Sequence, residues 1–257
     1  MEFCTVEDRE RIRIVTINRP ERMNALHPPA NRELAEAFDE FAASEELWVA
    51  IITGAGDRAF SAGNDLRHQA EGGDMSGQPA TGFGGLTSRY DLDKPVIAAV
   101  NGVAMGGGFE IALACDLIIA SDNARFALPE PRVGLAALAG GLHRLPRQIG
   151  MKRALGMMLT GRHVMADEGQ ELGFVNQVVP QDQLLQTALD WAGQILECSP
   201  MSVRATKQAA YQGLSEPDLE KAISARYPAV KALYESEDFI EGPRAFAEKR
   251  PPEWKGR

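Results

Sequence analysis

Residues 98–120 read AAVNGVAMGGGFEIALACDLIIA. Three consecutive glycines, Gly106, Gly107 and Gly108, stand in an apolar run. Between Val96 and Cys115 the only charge is Glu110. A lone carboxylate where burial looks inevitable has three ordinary explanations: a membrane span, a nucleotide-binding loop, or a buried strand and helix with a paired acid.

The run is long enough to span a bilayer. Asn101 and Glu110 inside it, the helix-weakening glycines at its centre and Asp116 at its close argue instead for protein core. No register of GVAMGGGFE fits G-x-G-x-x-G, and no Gly-Lys-Ser/Thr ends the run, so both nucleotide fingerprints fail. What remains is a strand, VIAAV, passing through Asn101 and Gly102 into a helix that opens near Gly106 to Gly108. Glycines at such a start either let a ligand rest on the backbone N–H groups of a positive helix end or let helix and strand pack closely.

Outward from this stretch the pattern is strand and helix in alternation. RIRIVTINRP intersperses Ile12, Ile14 and Ile17 with polar neighbours and stops at Pro20, which predicts a strand. PPANRELAEAFDEFAAS carries Leu34, Ala37, Phe38 and Phe41 as a helical stripe after prolines. LWVAIITGAG, KPVIAAVNG, DLIIAS and ARFALPE read as strands, and MGGGFEIALAC as a helix. The fold class is α/β. After Pro131 helices dominate, with one short strand in FVNQVV, and Pro200, Pro217, Pro228 and Pro243 are taken as helix starts. The Gly-rich segment 67–89 is a long loop of the kind that is usually functional.

Composition narrows the classes. In 257 residues the net charge of −9 leaves no basic face for nucleic acid, although a few local cations and amides would serve a phosphorylated small ligand. Cys4, Cys115 and Cys198 are far apart, the four histidines lack i,i+4 spacing, and the first residues carry no apolar leader. No metal site and a reducing cytoplasm are expected.

A second acid, Glu130, sits in FALPEPRVG between prolines that stiffen its backbone. Two carboxylates on stiff supports beside an anion-stabilising helix end suit acid–base chemistry next to a carbonyl. Either glutamate could instead pair with Arg132 or Arg144 for structural reasons.

In RPERMNAL, IITGAGDRAFSAGNDL, DKPVIAAVNGVAMGGGFEIALACDLIIAS, ARFALPEPRVG, AGGLHRLPRQIG, LTGRHVMADEGQELGFVNQVV and EGPRAFAEKRPPEWKGR, over essentially the whole chain, the sequence resembles the crotonase superfamily, the enoyl-CoA hydratase/isomerase group. The closing segment and the stretch from Leu92 to Glu130 look particularly like its carnitinyl-CoA (crotonobetainyl-CoA) dehydratase branch.

The resemblance implies a spiral of repeated ββα units over residues 1–195, with a helical C-terminal region, 196–257, that forms homotrimers or dimers of trimers. It implies an acyl-CoA thioester substrate, no cofactor beyond the coenzyme A of that substrate, and no metal. Glu110 and Glu130 match the two glutamates of hydratases, and the N–H groups of Asn64 and Gly107 match the pair that binds the thioester oxygen. Glu110 would act on water and Glu130 would protonate the α-carbon.

Arg22, Met23, Ala25, Ala62, Asp65 and Leu66 match CoA-binding positions, Gly106 and Pro129 match further CoA- or substrate-binding positions, and Leu138 lies in a segment that lines the acyl end. Phe246 and Lys249 match C-terminal positions that reach a CoA site, at times in a neighbouring subunit. Met75, Phe83 and Leu86 are candidate acyl-pocket lining. GLAALAGG has Ala137 where hydratases usually have proline, and Asn64 replaces the usual Ala or Trp. An enoyl-CoA hydratase is the leading expectation. A crotonobetainyl- or carnitinyl-CoA dehydratase, a Δ3–Δ2 isomerase and a catalytically silent binding module are the alternatives.

Overall fold

The runs VIAAV and LIIA are apolar at every position because both faces of their sheet are covered, as in parallel sheets generally. A computed structural model describes residues 1–257. Its strands are β1 (Cys4–Arg9), β2 (Ile12–Ile17), β3 (Val49–Gly54), β4 (Ala59–Ser61), β5 (Val96–Val100), β6 (Val103–Met105), β7 (Leu117–Ser121), β8 (Arg125–Ala127), β9 (Val164–Met165) and β10 (Gln177–Val179). The helices are α1 (Pro28–Ala43), α2 (Leu66–Ala70), α3 (Gly107–Ala114), α4 (Gly141–Ile149), α5 (Met151–Thr160), α6 (Ala166–Leu172) and α7 (Leu184–Leu196). The chain ends in α8 (Pro200–Gly213), α9 (Leu219–Ser224), α10 (Pro228–Tyr234) and α11 (Glu237–Glu248).

Two sheets form, ordered β1-β2-β3-β5-β7-β10 and β4-β6-β8-β9. The chain alternates between them: β3 then β4, β5 then β6, β7 then β8, each pair followed by helix or a helical turn. This is a spiral of ββα units. From β2 to β10 the larger sheet is parallel, with the β1–β2 hairpin antiparallel at its edge.

Period-2 alternation divides its side chains between two cores. Val15, Ile17, Ala50, Ile52, Ala98 and Val100 face the inter-sheet core, which contains the triad Phe109, Phe126 and Phe174 with ring centroids 5.1–5.2 Å apart. Ile14, Val49, Ile51, Ile97 and Ile119 face the opposite side, where α7 supplies Leu184, Ala188 and Ala192.

Several sequence expectations change. The strand predicted to run directly into the helix is interrupted: the chain turns at Asn101 and Gly102 and adds β6 to the second sheet first. Gly102 makes this corner, since a Cβ there would lie 2.5 Å from Arg58 O. Asn101 pins it by donating to Gly54 O (2.9 Å) and Gly56 O (2.7 Å) and accepting from Gly54 N–H (3.1 Å). β1, β4 and β9 were not anticipated, being an edge strand and two very short strands. Pro200 and Pro228 open α8 and α10, but Pro217 precedes the cap residue Asp218 of α9, and Pro243 lies inside α11. No helix is long and apolar enough to cross a membrane.

Candidate active site at the start of α3

The first turn of α3 is built by close backbone approach. Gly63, with φ +86°, rests against it, and a Cβ at Gly63 would lie 2.6 Å from Met105 O and 2.9 Å from Gly107 N. A Cβ on Gly108 would collide with Ser61 O. The glycines therefore serve close packing, and the packing brings two loops to one helix end.

The loop after β4 is zipped to the segment before α1. Ala62 N–H donates to Met23 O (2.9 Å), Leu26 N–H to Gly63 O (2.7 Å) and Asp65 N–H to Leu26 O (2.9 Å). In this parallel bridge Asn64 turns its own N–H away from Leu26, and that N–H donates to no protein acceptor. Gly107 N–H opens the helix and is likewise without a protein acceptor. Two unpaired amides and a helix dipole thus meet at one corner, an arrangement suited to developing negative charge on oxygen.

Glu110, 4% exposed, points from the first turn of α3 and accepts a 2.8 Å hydrogen bond from Gly141 N–H at the start of α4. Glu130 begins a short 3-10 turn, Glu130–Val133, capped by Pro129. Its carboxylate lies over the cap residue Gly106, where a Cβ would come within 3.0 Å of Oε1, and its buried Oε2 has no partner. Burial pushes Glu110 up to about 7; Glu130 adds to the rise, while the N–H groups of Gly141 and Ala139 and the charge of Arg144 oppose it. Burial also raises Glu130 above the ordinary carboxylate range. Neither forms an ion pair. Arg132 donates to Thr160 O (2.9 Å) and Arg144 to Thr87 O (2.9 Å). Two acids with raised affinity for protons flank a pair of free amides.

The other expected residues divide. Phe83 is at the site: its ring covers Gly107, where a Cβ would meet ring atoms at 2.5–2.9 Å. Gly84 and Gly85 then pack on Ile111 and Ala35, and Asn31 Oδ1 accepts from Gly84 N–H (2.7 Å), which ties this end of segment 67–89 to α1 and α3. Leu86 is core, and Met75 is half-buried in the loop well before Phe83. Arg22 and Leu66 flank the zipped loops and are accessible, whereas Ala25 is buried.

Asp65 is turned inward. It caps α2 by accepting from His68 N–H (3.1 Å) and pairs with Arg19 (3.0 Å), whose guanidinium also reaches Ala25 O. Burial, the largest influence, would raise Asp65, yet the His68 N–H and Arg19 hold it below its ordinary value. Its carboxylate is held by these contacts as a structural pin. Leu138 is 81% exposed, beyond Ala137, which is buried.

Phe246 and Lys249 are not near the glutamates of this chain. α11 is fixed by Asp238 to Ser199 (2.8 Å), and the chain end packs on Trp48, which precedes the first residue of β3. That is the end of the parallel sheet where β3 begins, away from the first turn of α3. Phe246 is 88% exposed.

A cavity of about 560 Å³ is lined by neither glutamate. It lies between α3, α4 and α8, lined among others by Leu86, Leu113, Arg144 and Tyr211. Sequence reasoning missed Arg19, Thr87 and Gly141. Only the two adjacent glycines ahead of α4 carried a signal, for a backbone approach of the kind Gly141 makes.

The family model for Enoyl-CoA hydratase/isomerase matches residues 7–257. The chain belongs to this family. A carnitinyl-CoA dehydratase of Citrobacter koseri is 46% identical over 249 residues, which cover 95% of this chain and 94% of the relative. Among solved structures, an enoyl-CoA hydratase from Mycobacterium marinum superposes with a TM-score of 0.93 at 38% identity, and a carnitinyl-CoA hydratase from Mycobacterium avium with 0.79 at 41%. Each covers all of both chains. The spiral of ββα units is the crotonase fold of these neighbours.

Proposed function

We propose that this family member is a hydro-lyase that adds water reversibly across the 2,3 double bond of an enoyl-CoA thioester. The observation that carries the reading is two carboxyl groups, Glu110 and Glu130, flanking the unpaired N–H groups of Asn64 and Gly107. Conjugation with the thioester makes C3 electrophilic, and attack there moves charge to the carbonyl oxygen as an enolate. Amides of Asn64 and Gly107 meet that charge, each worth about 10²–10³ in rate by comparison with other oxyanion holes.

Glu110 takes a proton from water as its oxygen bonds to C3, and Glu130 delivers a proton to C2. Elimination runs the same path backwards with the roles exchanged. A Glu110 pKa of about 7 suits both directions at neutral pH. Polarisation comes from backbone amides, so the reading calls on no metal and no separate cofactor.

Arg22, Met23, Ala25, Ala62 and Leu66 are proposed to border the CoA moiety, with Gly106, Pro129 and Leu138 toward the acyl group. Phe246 and Lys249 would serve a site only across a subunit boundary, in a homotrimer or dimer of trimers formed through residues 196–257. A cytoplasmic setting goes with a CoA substrate. Relatives named carnitinyl-CoA dehydratase favour a second reading that differs in acyl head group and direction, with the same chemistry.

The test is a panel of enoyl-CoA thioesters, crotonobetainyl-CoA included, followed by loss of conjugated-thioester absorbance. Glu110→Gln and Glu130→Gln should each lower turnover by about 10²–10⁴ with CoA binding retained. Wild-type hydration rates in either variant remove that residue from the mechanism. A wild-type chain that binds thioesters and turns none over sinks the enzyme reading.

A further inference from the structure

Arg144 stands on the first turn of α4 and has no carboxylate partner. Its guanidinium donates to two backbone carbonyls, Thr87 O at 2.9 Å and Ala139 O at 3.4 Å. It also lies against Gly140, whose φ of +110° and missing Cβ leave the space it fills. The two carbonyls belong to opposite walls of the site. Ala139 leads into the Gly140–Gly141 turn, and Gly141 N–H donates to Glu110 Oε1 at 2.8 Å. Thr87 belongs to the covering segment: its Oγ1 accepts from Phe83 N–H at 2.8 Å, and the Phe83 ring covers Gly107.

We propose that Arg144 is a positioning residue: by bridging Thr87 and Ala139, one guanidinium sets the Gly141 N–H on Glu110 and the Phe83 ring over Gly107 in fixed mutual register. Arginine suits this task because its planar fork reaches two acceptors at once, which a lysine ammonium on a flexible stem does not hold in one geometry. The catalytic consequence rests on the hydratase reading, in which Glu110 is the base and Gly107 an oxyanion donor.

The charged groups facing Glu110 are Glu130, from the turn after β8, and Arg144, from α4. Arg144 pulls the Glu110 pKa down against burial and Glu130. Removing its charge therefore raises that pKa. The base is active when ionised, so the acidic limb of the hydration profile moves to higher pH.

The experiment compares Arg144→Gln, Arg144→Lys and Thr87→Val with wild type in steady-state hydration across pH. In Arg144→Gln, kcat is expected to fall about 10- to 100-fold, the scale of a small misplacement of reacting groups, with KM little changed and the acidic limb displaced upward. Arg144→Lys keeps most of the limb position but recovers little of the rate. Thr87→Val, which removes only the acceptor of Phe83 N–H, lowers kcat with the limb unmoved and keeps the question open to test if Arg144→Gln fails to fold. A wild-type kcat in Arg144→Lys or Thr87→Val overturns the proposal, as does an unmoved limb in Arg144→Gln.

Infrared titration of the carboxyl band that Glu110→Gln abolishes reads the same displacement without turnover. An inactive wild-type enzyme would therefore sink the hydratase reading while the positioning role was still decided: an upward-shifted band titration in Arg144→Gln supports it, and an unchanged one overturns it.

Discussion

The start of α3 and the four closing helices make opposite use of apolar sequence. Around α3 the polypeptide is packed so closely that Gly63, Gly107 and Gly108 leave no room for a methyl group, with Glu110 buried and Glu130 half-buried beside them. In α8 to α11 and their connections, Leu214, Leu219, Ile223, Ile240 and Phe246 are each at least 70% exposed. One region is completed by its own chain. The other presents apolar surface that its own chain does not cover, as interaction faces do, and the proposed self-association would use it. A substitution should therefore be felt within the chain in the first region and between chains in the second.

The sharpest way to break this contrast is Asp65→Ala. It leaves the Arg19 guanidinium, 11% exposed, without its partner, and loss of one member of a buried pair costs about 3–5 kcal/mol. Denaturant unfolding should show a midpoint shift of that order, and a loss within error would mean that the pair is not a pin.

Glu110→Gln acts in the opposite sense. Because the folded pKa of about 7 exceeds the ordinary 4.5, the folded state binds the proton more tightly. That advantage is present in full below pH 4.5 and is lost as pH rises to 7. The glutamine variant, which carries no charge, should equal wild type in stability at pH 4 and exceed it by about 3 kcal/mol above pH 8. Parallel stability curves for the two proteins would contradict a buried, proton-retaining acid.

Gly107→Ala should push against the Phe83 ring and cost about 1–3 kcal/mol of stability, together with loss of thioester turnover. The smallest effect within the chain is expected for Leu219→Ser with Ile223→Ser in α9. Thermal stability of the dissociated chain should change by about 0.5 kcal/mol or less, while sedimentation velocity should show weakened association. Unaltered association would place the contact elsewhere.

Legibility in the sequence followed length and separation. VIAAV and the LIIA of DLIIAS stand out as continuous apolar runs and the stripe of α1 is long enough for period 3.6 to declare itself, and all three stand where expected. β4, β6 and β8 have three residues each, too few for a period, so the second sheet was unreadable apart from FALPE. Glu110 drew attention as the sole charge in an apolar run, and Glu130 through its flanking prolines. The pairing of Asp65 with Arg19 went unread because the two residues are 46 apart and nothing local announces the pair. Gly141 acts through a backbone N–H, and the Arg144 guanidinium binds backbone carbonyls, neither of which a side-chain pattern announces.

By itself, then, the sequence determined the alternation of strands and helices, the helix beginning at the glycines, and the two acids in its neighbourhood, because each depends on local periodicity, missing side chains or stiff flanking residues. Only the tertiary structure decided which amides are left unpaired, that burial raises the proton affinity of both acids, and that Asp65 faces inward. Those properties arise when segments far apart in the chain exclude water from one another, and no local pattern records that exclusion.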